Sequence, residues 1–180
     1  YFDNVNKMDF ENELIPGVLI KRYKRFFADI KLNNKIITAH CPNPGSMFKL
    51  LSKGNSVWIT KTKNDKRKLK YTLQIIEVNK LKFCINTHIT NKVVEESLKK
   101  KLIKDLVKFD IISREKKFGI NTRFDFLLQN TKKNEKAFLE VKSVSLSRKL
   151  GHAEFPDAVT SRGKKHLESL VSATKQGYES

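Results

Sequence analysis

The hydrophobic pattern of the chain changes near residue 90, and this change most limits the folds that it can adopt. In residues 14–88, short stretches rich in β-branched and aromatic residues alternate with turn residues, which is typical of strands. After that point apolar residues recur at helical spacing, beginning with Val94, Leu98 and Leu102. The pattern predicts an α+β protein of two domains, which comprise residues 14–88 and 89–180.

The first domain contains five candidate strands. They are residues 17–32, 35–40, 56–63, 68–78 and 81–87. Five strands suit a small barrel, and Pro42 and Pro44 force a turn after the second strand, where Ser46 is placed to cap a short helix. This order predicts an OB-fold-like barrel, a fold whose exposed face and loops commonly bind oligonucleotides. An all-β module without a ligand is the alternative.

The second domain has the order helix, three strands, helix. Its predicted elements are a helix at 91–107, strands at 111–120, 122–130 and 136–146, and a helix at 161–176. Gly177 follows the last helical residue, where a glycine commonly ends a helix.

The net charge of +18 is concentrated in the first domain. Residues 14–88 carry 16 Lys and Arg against 3 Asp and Glu, whereas residues 89–180 carry 20 against 12. Such a surplus favours a polyanionic partner, and we expect DNA; a biased amino-acid usage would produce part of the same surplus. An anionic membrane is the weaker candidate, because no basic amphipathic helix is visible. No apolar run approaches ~20 residues, so we expect a cytoplasmic protein.

Three groups of basic residues are the candidate nucleic-acid contacts. They are Lys21, Arg22, Lys24 and Arg25 in KRYKR, Arg67 and Lys68 in KNDKRKLK, and Arg162, Lys164 and Lys165 in TSRGKKHL. The third group lies in the first turn of a predicted helix, where the helix dipole disfavours cations and a bound phosphate would compensate. A solvated basic face is the alternative. Asp157 and His166 are expected to be structural, and His166 is not predicted to be a catalytic base.

Three charged residues in the second domain are predicted to meet at one edge of the sheet. Within FLEVKSV, Glu140 and Lys142 share one face of the predicted strand, and Asp125 lies on the neighbouring strand between Phe124 and Phe126. Carboxylates in this position are costly unless their charge is compensated. Mg²⁺ or Mn²⁺ held by Asp125 and Glu140 would compensate it. Lys142 would then orient or deprotonate water, or stabilise the phosphate charge. A salt bridge between strands is the alternative.

The order of these elements resembles the core of the PD-(D/E)XK nucleases. In that core an acidic residue precedes the last of three strands, which carries the Glu-x-Lys pair, and a helix follows. The resemblance implies that Asp125, Glu140 and Lys142 form the metal-dependent catalytic site. Glu96 on the first helix or Glu115 on the first strand could supply a further ligand.

Several longer motifs resemble the sugar fermentation stimulation protein A (SfsA) family. They are LIKRYKRFFADI, HCPNPG, KRKLKYT, TRFDFLL, LEVKSVSL and FPDAVTSRGKKHL, although the family usually has Thr where Pro44 stands. The resemblance implies a bacterial DNA-binding protein linked to sugar metabolism, with an OB-fold joined to a PD-(D/E)XK-like domain. Family members continue past Ser180 through a further strand and helix, so we expect a truncated second domain with an unpaired sheet edge. Such an edge is prone to association, and a dimer is one outcome.

The candidate functions belong to three classes: a metal-dependent DNA nuclease, a non-catalytic DNA-binding regulator, and a binder of RNA or single strands. The presence of Asp125, Glu140 and Lys142 together favours the first, because a pure binder has no need of negative charge facing a phosphate. The family description favours the second. No recognition helix or base-reading motif is visible, which predicts little sequence specificity.

Overall fold

The structure, a computed structural model, describes residues 10–120, 122–146, 148–149, 152, 154 and 160–180, with the side chain of Arg162 excepted. Internal contacts divide the chain into two units. The first contains residues 1–89 and 143–156, and the second contains residues 90–142 and 157–180.

Six strands form the sheet of the first unit. They are β1 (Ile15–Tyr23), β2 (Phe27–Leu32), β3 (Lys35–His40), β4 (Ser56–Lys61), β5 (Tyr71–Val78) and β6 (Leu81–Cys84). Antiparallel pairing links β3, β2, β1, β4 and β5 in that order, and a parallel β3–β5 pairing closes the ring. Strand β6 pairs with β5 outside the ring. The predicted five-stranded, OB-fold-like barrel is therefore confirmed.

Three details of the barrel differ from the prediction. The fifth predicted strand, residues 81–87, corresponds to β6 and lies outside the closed ring. Residues 17–32 form two strands, because Lys24 and Arg25 adopt φ values of 46° and 61° and turn the chain back on itself. Three residues, 24 to 26, connect the paired residues Tyr23 and Phe27, and left-handed residues are common in such short hairpin loops. Among residues 41–55 there is no helix capped by Ser46. Met47 has a φ of 52°, which a helix excludes, and its side chain is buried in the barrel core.

Close packing inside the barrel requires glycine at one position. A Cβ atom on Gly17 of β1 would lie 2.7 Å from Ile30 Cγ2, 2.9 Å from Leu32 Cδ2 and 3.1 Å from the Lys31 carbonyl oxygen. Ile30 is fully buried, so it has little room to move away. Strand β2 therefore approaches β1 closely only because residue 17 has no side chain.

The second unit follows the predicted order of helix, three strands and helix. Its elements are α1 (Thr90–Lys99), β7 (Ile111–Phe118), β8 (Thr122–Asn130), β9 (Glu135–Leu139) and α2 (Ser161–Lys175), and the three strands form an antiparallel sheet with β8 in the centre. Helix α2 begins at a capped position, since Thr160 Oγ1 accepts a hydrogen bond from Gly163 N. None of the described helices is long and apolar enough to cross a membrane.

Strand β8 organises the core of this unit. Phe124, Phe126 and Leu128 are fully buried, as alternation along a strand predicts. Phe126 and Leu128 pack with Leu98 of α1, whereas Phe124 packs with Ala173 of α2. Both helices of the unit therefore pack against residues of β8.

Three elements of the second unit differ from the prediction. The helix predicted for 91–107 ends at Lys99, since Lys101 has a φ of 55°. Strand β9 ends at Leu139, so Glu140 and Lys142 lie just beyond the strand and not within it. The expected unpaired edge is wrong at residues 136–138, because Phe138 N donates to Glu179 O and Glu179 N donates to Lys136 O, each at 2.9 Å.

Candidate active site

Asp125 is the central carboxylate of the predicted site and lies in the middle of β8. Its Oδ1 accepts a hydrogen bond from Asn91 Nδ2 of α1 at 2.7 Å, and its Oδ2 accepts one from Val141 N at 2.7 Å. The second bond accounts for the end of β9 at Leu139. The main-chain N–H group of Val141 is bound by the side chain of Asp125 and not by the main chain of β8. Asp125 thus holds the start of α1 and the segment after β9 in one place.

Glu140 is held near Asp125 because the next residue, Val141, is hydrogen-bonded to the Asp125 side chain. Only 10% of its side chain is exposed. Its Oε1 accepts hydrogen bonds from Lys142 Nζ at 2.6 Å and His166 Nδ1 at 2.7 Å. Its Oε2 is buried and has no hydrogen-bond partner among the described residues. A buried polar atom without a partner costs about 1–3 kcal/mol, and more when it is charged, so this oxygen requires a counterpart.

His166 is a site residue that the sequence analysis did not assign. Its side chain, on α2, is 15% exposed and contacts Glu140. An ionised carboxylate only accepts hydrogen bonds, so Nδ1 of His166 carries the hydrogen. The spacing of His166, Leu170 and Ala173 was the available signal, because it places the histidine on the same face of α2 as two residues that pack against the core. Spacing alone does not say which carboxylate lies opposite.

Lys142 forms the salt bridge that was the alternative to a metal site, although the pair does not link two strands. Its side chain is 43% exposed, in contrast to that of Glu140. An ammonium group has three donors, and one of them is directed at Glu140. Among the described residues no partner is seen for the other two, which can bind an anion or water. The salt bridge and an anion-binding role are therefore compatible.

The two further carboxylates proposed as ligands, Glu96 and Glu115, pair elsewhere. Glu96 of α1 contacts Lys100, the residue directly after the helix, at 2.5 Å. Glu115, on β7, contacts Arg123 at 3.2 Å and is 62% exposed. In the described part of the chain no three His, Cys, Asp or Glu side chains converge. The carboxylates at the site are therefore two, Asp125 and Glu140.

This donor set fits a hard divalent cation. Mg²⁺ is usually bound by one or two carboxylates together with water and phosphate oxygens, and Ca²⁺ and Mn²⁺ also take oxygen ligands. Both oxygens of Asp125 keep a free lone pair beside the one that accepts a hydrogen bond. Glu140 Oε2 is a complete, unused acceptor. A cation would supply the counterpart that this oxygen lacks.

The structure distributes the predicted basic residues among several positions. Lys24 and Arg25 form the exposed β1–β2 turn, and Arg22 supports it from inside through Nη2, which donates to the Asn43 carbonyl oxygen at 2.7 Å. Lys21 contacts Asp29 at 3.7 Å. Arg67 and Lys68 lie in the β4–β5 loop, with Arg67 Nη2 donating to Thr72 at 3.3 Å.

The basic residues of α2 are only partly described. Lys164 contacts Glu168 at 3.7 Å, and Lys165 is exposed. The side chain of Arg162 and residues 155–159, including Asp157, lie outside the described part of the chain.

Two family descriptions match the chain. The description "SfsA N-terminal OB domain" matches residues 20–85, and "Sugar fermentation stimulation protein RE domain" matches residues 88–180. The boundary between the two matches lies near residue 87, close to the change of pattern from which the two domains were predicted.

Similar proteins and a similar solved structure agree with these matches. A sugar fermentation stimulation protein homolog of Pelagibacter ubique is 53% identical over 173 residues, which are 96% of this chain and 74% of the relative. A homolog of Marinomonas sp. is 44% identical over 94% of this chain and 66% of the relative. The structure of Pyrococcus furiosus SfsA in complex with Ca²⁺ has a TM-score of 0.81 and 26% identity, covering 97% of this chain and 73% of that one.

Proposed function

Since this chain belongs to the sugar fermentation stimulation protein (SfsA) family, we propose that it binds DNA and hydrolyses phosphodiester bonds at a divalent-metal site formed by Asp125 and Glu140. The observation that carries the proposal is the buried Glu140 Oε2 without a partner among the described residues. A glutamine or an apolar residue would avoid the cost of this buried charge if residue 140 served only the fold. The Ca²⁺ bound by the Pyrococcus furiosus protein supports a divalent ion in this family.

The arrangement of hydrogen bonds selects one oxygen of Glu140 for the cation. Lys142 and His166 both donate to Oε1, which leaves Oε2 free. A bound Mg²⁺ or Mn²⁺ would polarise the scissile phosphate and lower the pKa of a water molecule. His166 is a positioning residue in this account, because it fixes the rotamer of Glu140 and contacts neither substrate nor cation.

Lys142 is the residue that contributes chemistry beside the carboxylates. Its exposed ammonium group retains donors that are not directed at Glu140. These donors can bind a non-bridging phosphate oxygen and stabilise the negative charge that grows in the transition state. Its bond to Glu140 restrains the side chain beforehand, so less side-chain entropy is lost when the phosphate arrives.

Binding of DNA is supported by the charge of the first unit. The excess of 16 basic over 3 acidic residues in 14–88 attracts a polyanion, and the predicted contacts Lys24 and Arg25 are exposed on a hairpin turn. OB-fold barrels commonly bind nucleic acid with their loops. Such residues bind phosphates and do not read the base edges, so we expect little sequence preference.

The test is cleavage of end-labelled single-stranded DNA, duplex DNA and RNA in EDTA, Mg²⁺, Mn²⁺ and Ca²⁺. We expect cleavage that requires a divalent ion and falls by at least ~10²-fold in Glu140→Gln, as for loss of one electrostatic contributor to a transition state. Binding should persist or tighten in this variant, because it removes a negative charge. Absence of cleavage with every ion, or equal cleavage by Glu140→Gln, would leave a non-catalytic DNA-binding scaffold as the function.

A further inference from the structure

One end of the barrel brings together two segments that are distant in sequence. The parallel pairing that closes the ring places His40, at the end of β3, opposite Thr72 of β5. Arg67, from the β4–β5 loop, donates a hydrogen bond to Thr72, and its charge acts on His40. The β1–β2 turn lies on the other side of His40, since Phe27 pairs with His40 across β2 and β3. Residues from both basic clusters of the first unit therefore flank His40.

An exposed aromatic ring lies at the centre of this region. The ring of Phe26 stacks on the ring of His40, with centroids 6.2 Å apart and planes inclined by 23°, and 42% of Phe26 remains exposed. Its main chain is held on both sides, because Phe26 N donates to Lys24 O at 2.7 Å and Cys41 N donates to Phe26 O at 2.8 Å. Burial and the charge of Arg67 lower the pKa of His40, which favours the neutral ring. The pair is thus an aromatic surface whose main chain is held in place.

Basic residues lie next to the pair in positions that the fold defines. Lys24 and Arg25 occupy the turn directly before Phe26, and both are exposed. Arg22 fixes the turn, since its Nε donates to the Arg25 carbonyl oxygen at 2.8 Å. The carboxylate of the β4–β5 loop, Asp65, is exposed and contacts Lys70 at 3.9 Å.

We infer that the Phe26–His40 pair is a stacking platform for an unpaired base of a single-stranded nucleic acid, whose flanking phosphates are bound by Lys24, Arg25 and Arg67. A single strand presents the face of a base beside a phosphate, and an exposed aromatic ring beside cations matches that alternation. A duplex hides the faces of its bases, so it offers this surface only phosphates. The inference rests on the proposed function, because it takes nucleic acid as the ligand. It adds that the barrel prefers single-stranded over double-stranded nucleic acid.

The experiment is binding measured in EDTA, where cleavage cannot occur. Fluorescence polarisation would compare oligo-dT, oligo-U and an abasic strand, each of about 15 nucleotides, with a duplex of the same length at one salt concentration. The abasic strand keeps the phosphates and lacks the bases. Oligo-dT or oligo-U should bind more tightly than the duplex and more tightly than the abasic strand, by about 5- to 150-fold in the second comparison.

Phe26→Ala isolates the stacking contribution. It should weaken binding of oligo-dT by about 5- to 150-fold and leave binding of the abasic strand unchanged, whereas Phe26→Trp should restore the affinity. The matched control is Phe48→Ala, which removes another Phe of the same unit that is 56% exposed. Circular dichroism would confirm that each variant is folded. Arg25→Ala should weaken all strands equally and reduce the slope of log K against log salt by ~1.

The inference is overturned by any of three results. One is an equal affinity for oligo-dT and the abasic strand. Another is a Phe26→Ala variant that binds oligo-dT as the wild type does, or no more weakly than Phe48→Ala. The third is a duplex that binds as tightly as the single strands. None of them bears on metal-dependent cleavage, so failure here and failure of the proposed function are distinguished.

Discussion

Replacement of Glu140 by glutamine should abolish the stabilisation of the fold by divalent ions. The amide keeps the size of the side chain and retains an oxygen that accepts from Lys142 and His166. It replaces the buried Oε2, the proposed ligand atom for the cation, with a neutral –NH₂ group. The variant therefore removes the proposed ligand atom while leaving the surrounding hydrogen bonds in place.

The expected magnitude follows from linkage. An ion at 100 times its dissociation constant stabilises the folded state by ~2.7 kcal/mol. For a chain of 150–250 residues, 1 kcal/mol shifts Tm by ~2–4 °C, so the wild type should gain ~5–11 °C. Without an ion the two proteins should differ little, because relief of a buried charge opposes the weakening of the two hydrogen bonds to Oε1, whose acceptor becomes neutral; each effect is ~1–3 kcal/mol.

The assay is thermal unfolding followed by circular dichroism, in EDTA and at rising concentrations of MgCl₂, MnCl₂ and CaCl₂. The matched control is Glu115→Gln, which removes an exposed carboxylate that pairs with Arg123 and should preserve the ion-dependent rise of Tm. Equal rises of Tm in the wild type and in Glu140→Gln would refute the reasoning, as would a wild type whose Tm responds to none of the three ions.

Three further predictions concern His166, Lys142 and Gly17. His166→Asn keeps a donor near the position of Nδ1 and should retain Mn²⁺ affinity in calorimetry, whereas His166→Leu should lose about 10- to 100-fold; equal affinities would show that the histidine does not position Glu140. Lys142→Met should lower cleavage by at least ~10²-fold while the ion-dependent rise of Tm persists, and loss of both would indicate a structural role. Gly17→Ala should destabilise the chain by ~1–3 kcal/mol in urea unfolding, because its Cβ would lie 2.7 Å from Ile30 Cγ2; an unchanged midpoint would show that β2 can move away.

The strands of the barrel were largely predictable, but the turns between them were less so. Strand β3 was predicted with its observed bounds, Lys35 to His40, since a stretch with β-branched residues follows the turn signal Asn33-Asn34. The turn at Lys24 and Arg25 was missed because both residues are charged and neither is the Gly or Asn that commonly marks such a turn. The helix at Ser46 was wrong because burial of Met47 in the barrel core takes precedence over a local capping signal.

The sequence was sufficient to name three residues of the candidate site, Asp125, Glu140 and Lys142, but not the contacts between them. Alternation in TRFDFLL was sufficient to place Asp125 on the face opposite two buried phenylalanines. The last strand was predicted to continue past Leu139, because the sequence pattern does not show that Asp125 binds the N–H group of Val141. His166 lies 26 residues from Glu140, and only the packing of α2 brings the two together.

The most direct test of the account is a crystal of the protein grown with MnCl₂, with data collected for anomalous scattering from manganese. The account predicts an anomalous peak within ~2.0–2.6 Å of Glu140 Oε2 and an oxygen of Asp125, and its absence in Glu140→Gln crystals grown in the same way. A wild-type structure in which a water molecule or a protein donor occupies Oε2, with no anomalous peak at the carboxylate pair, would contradict it.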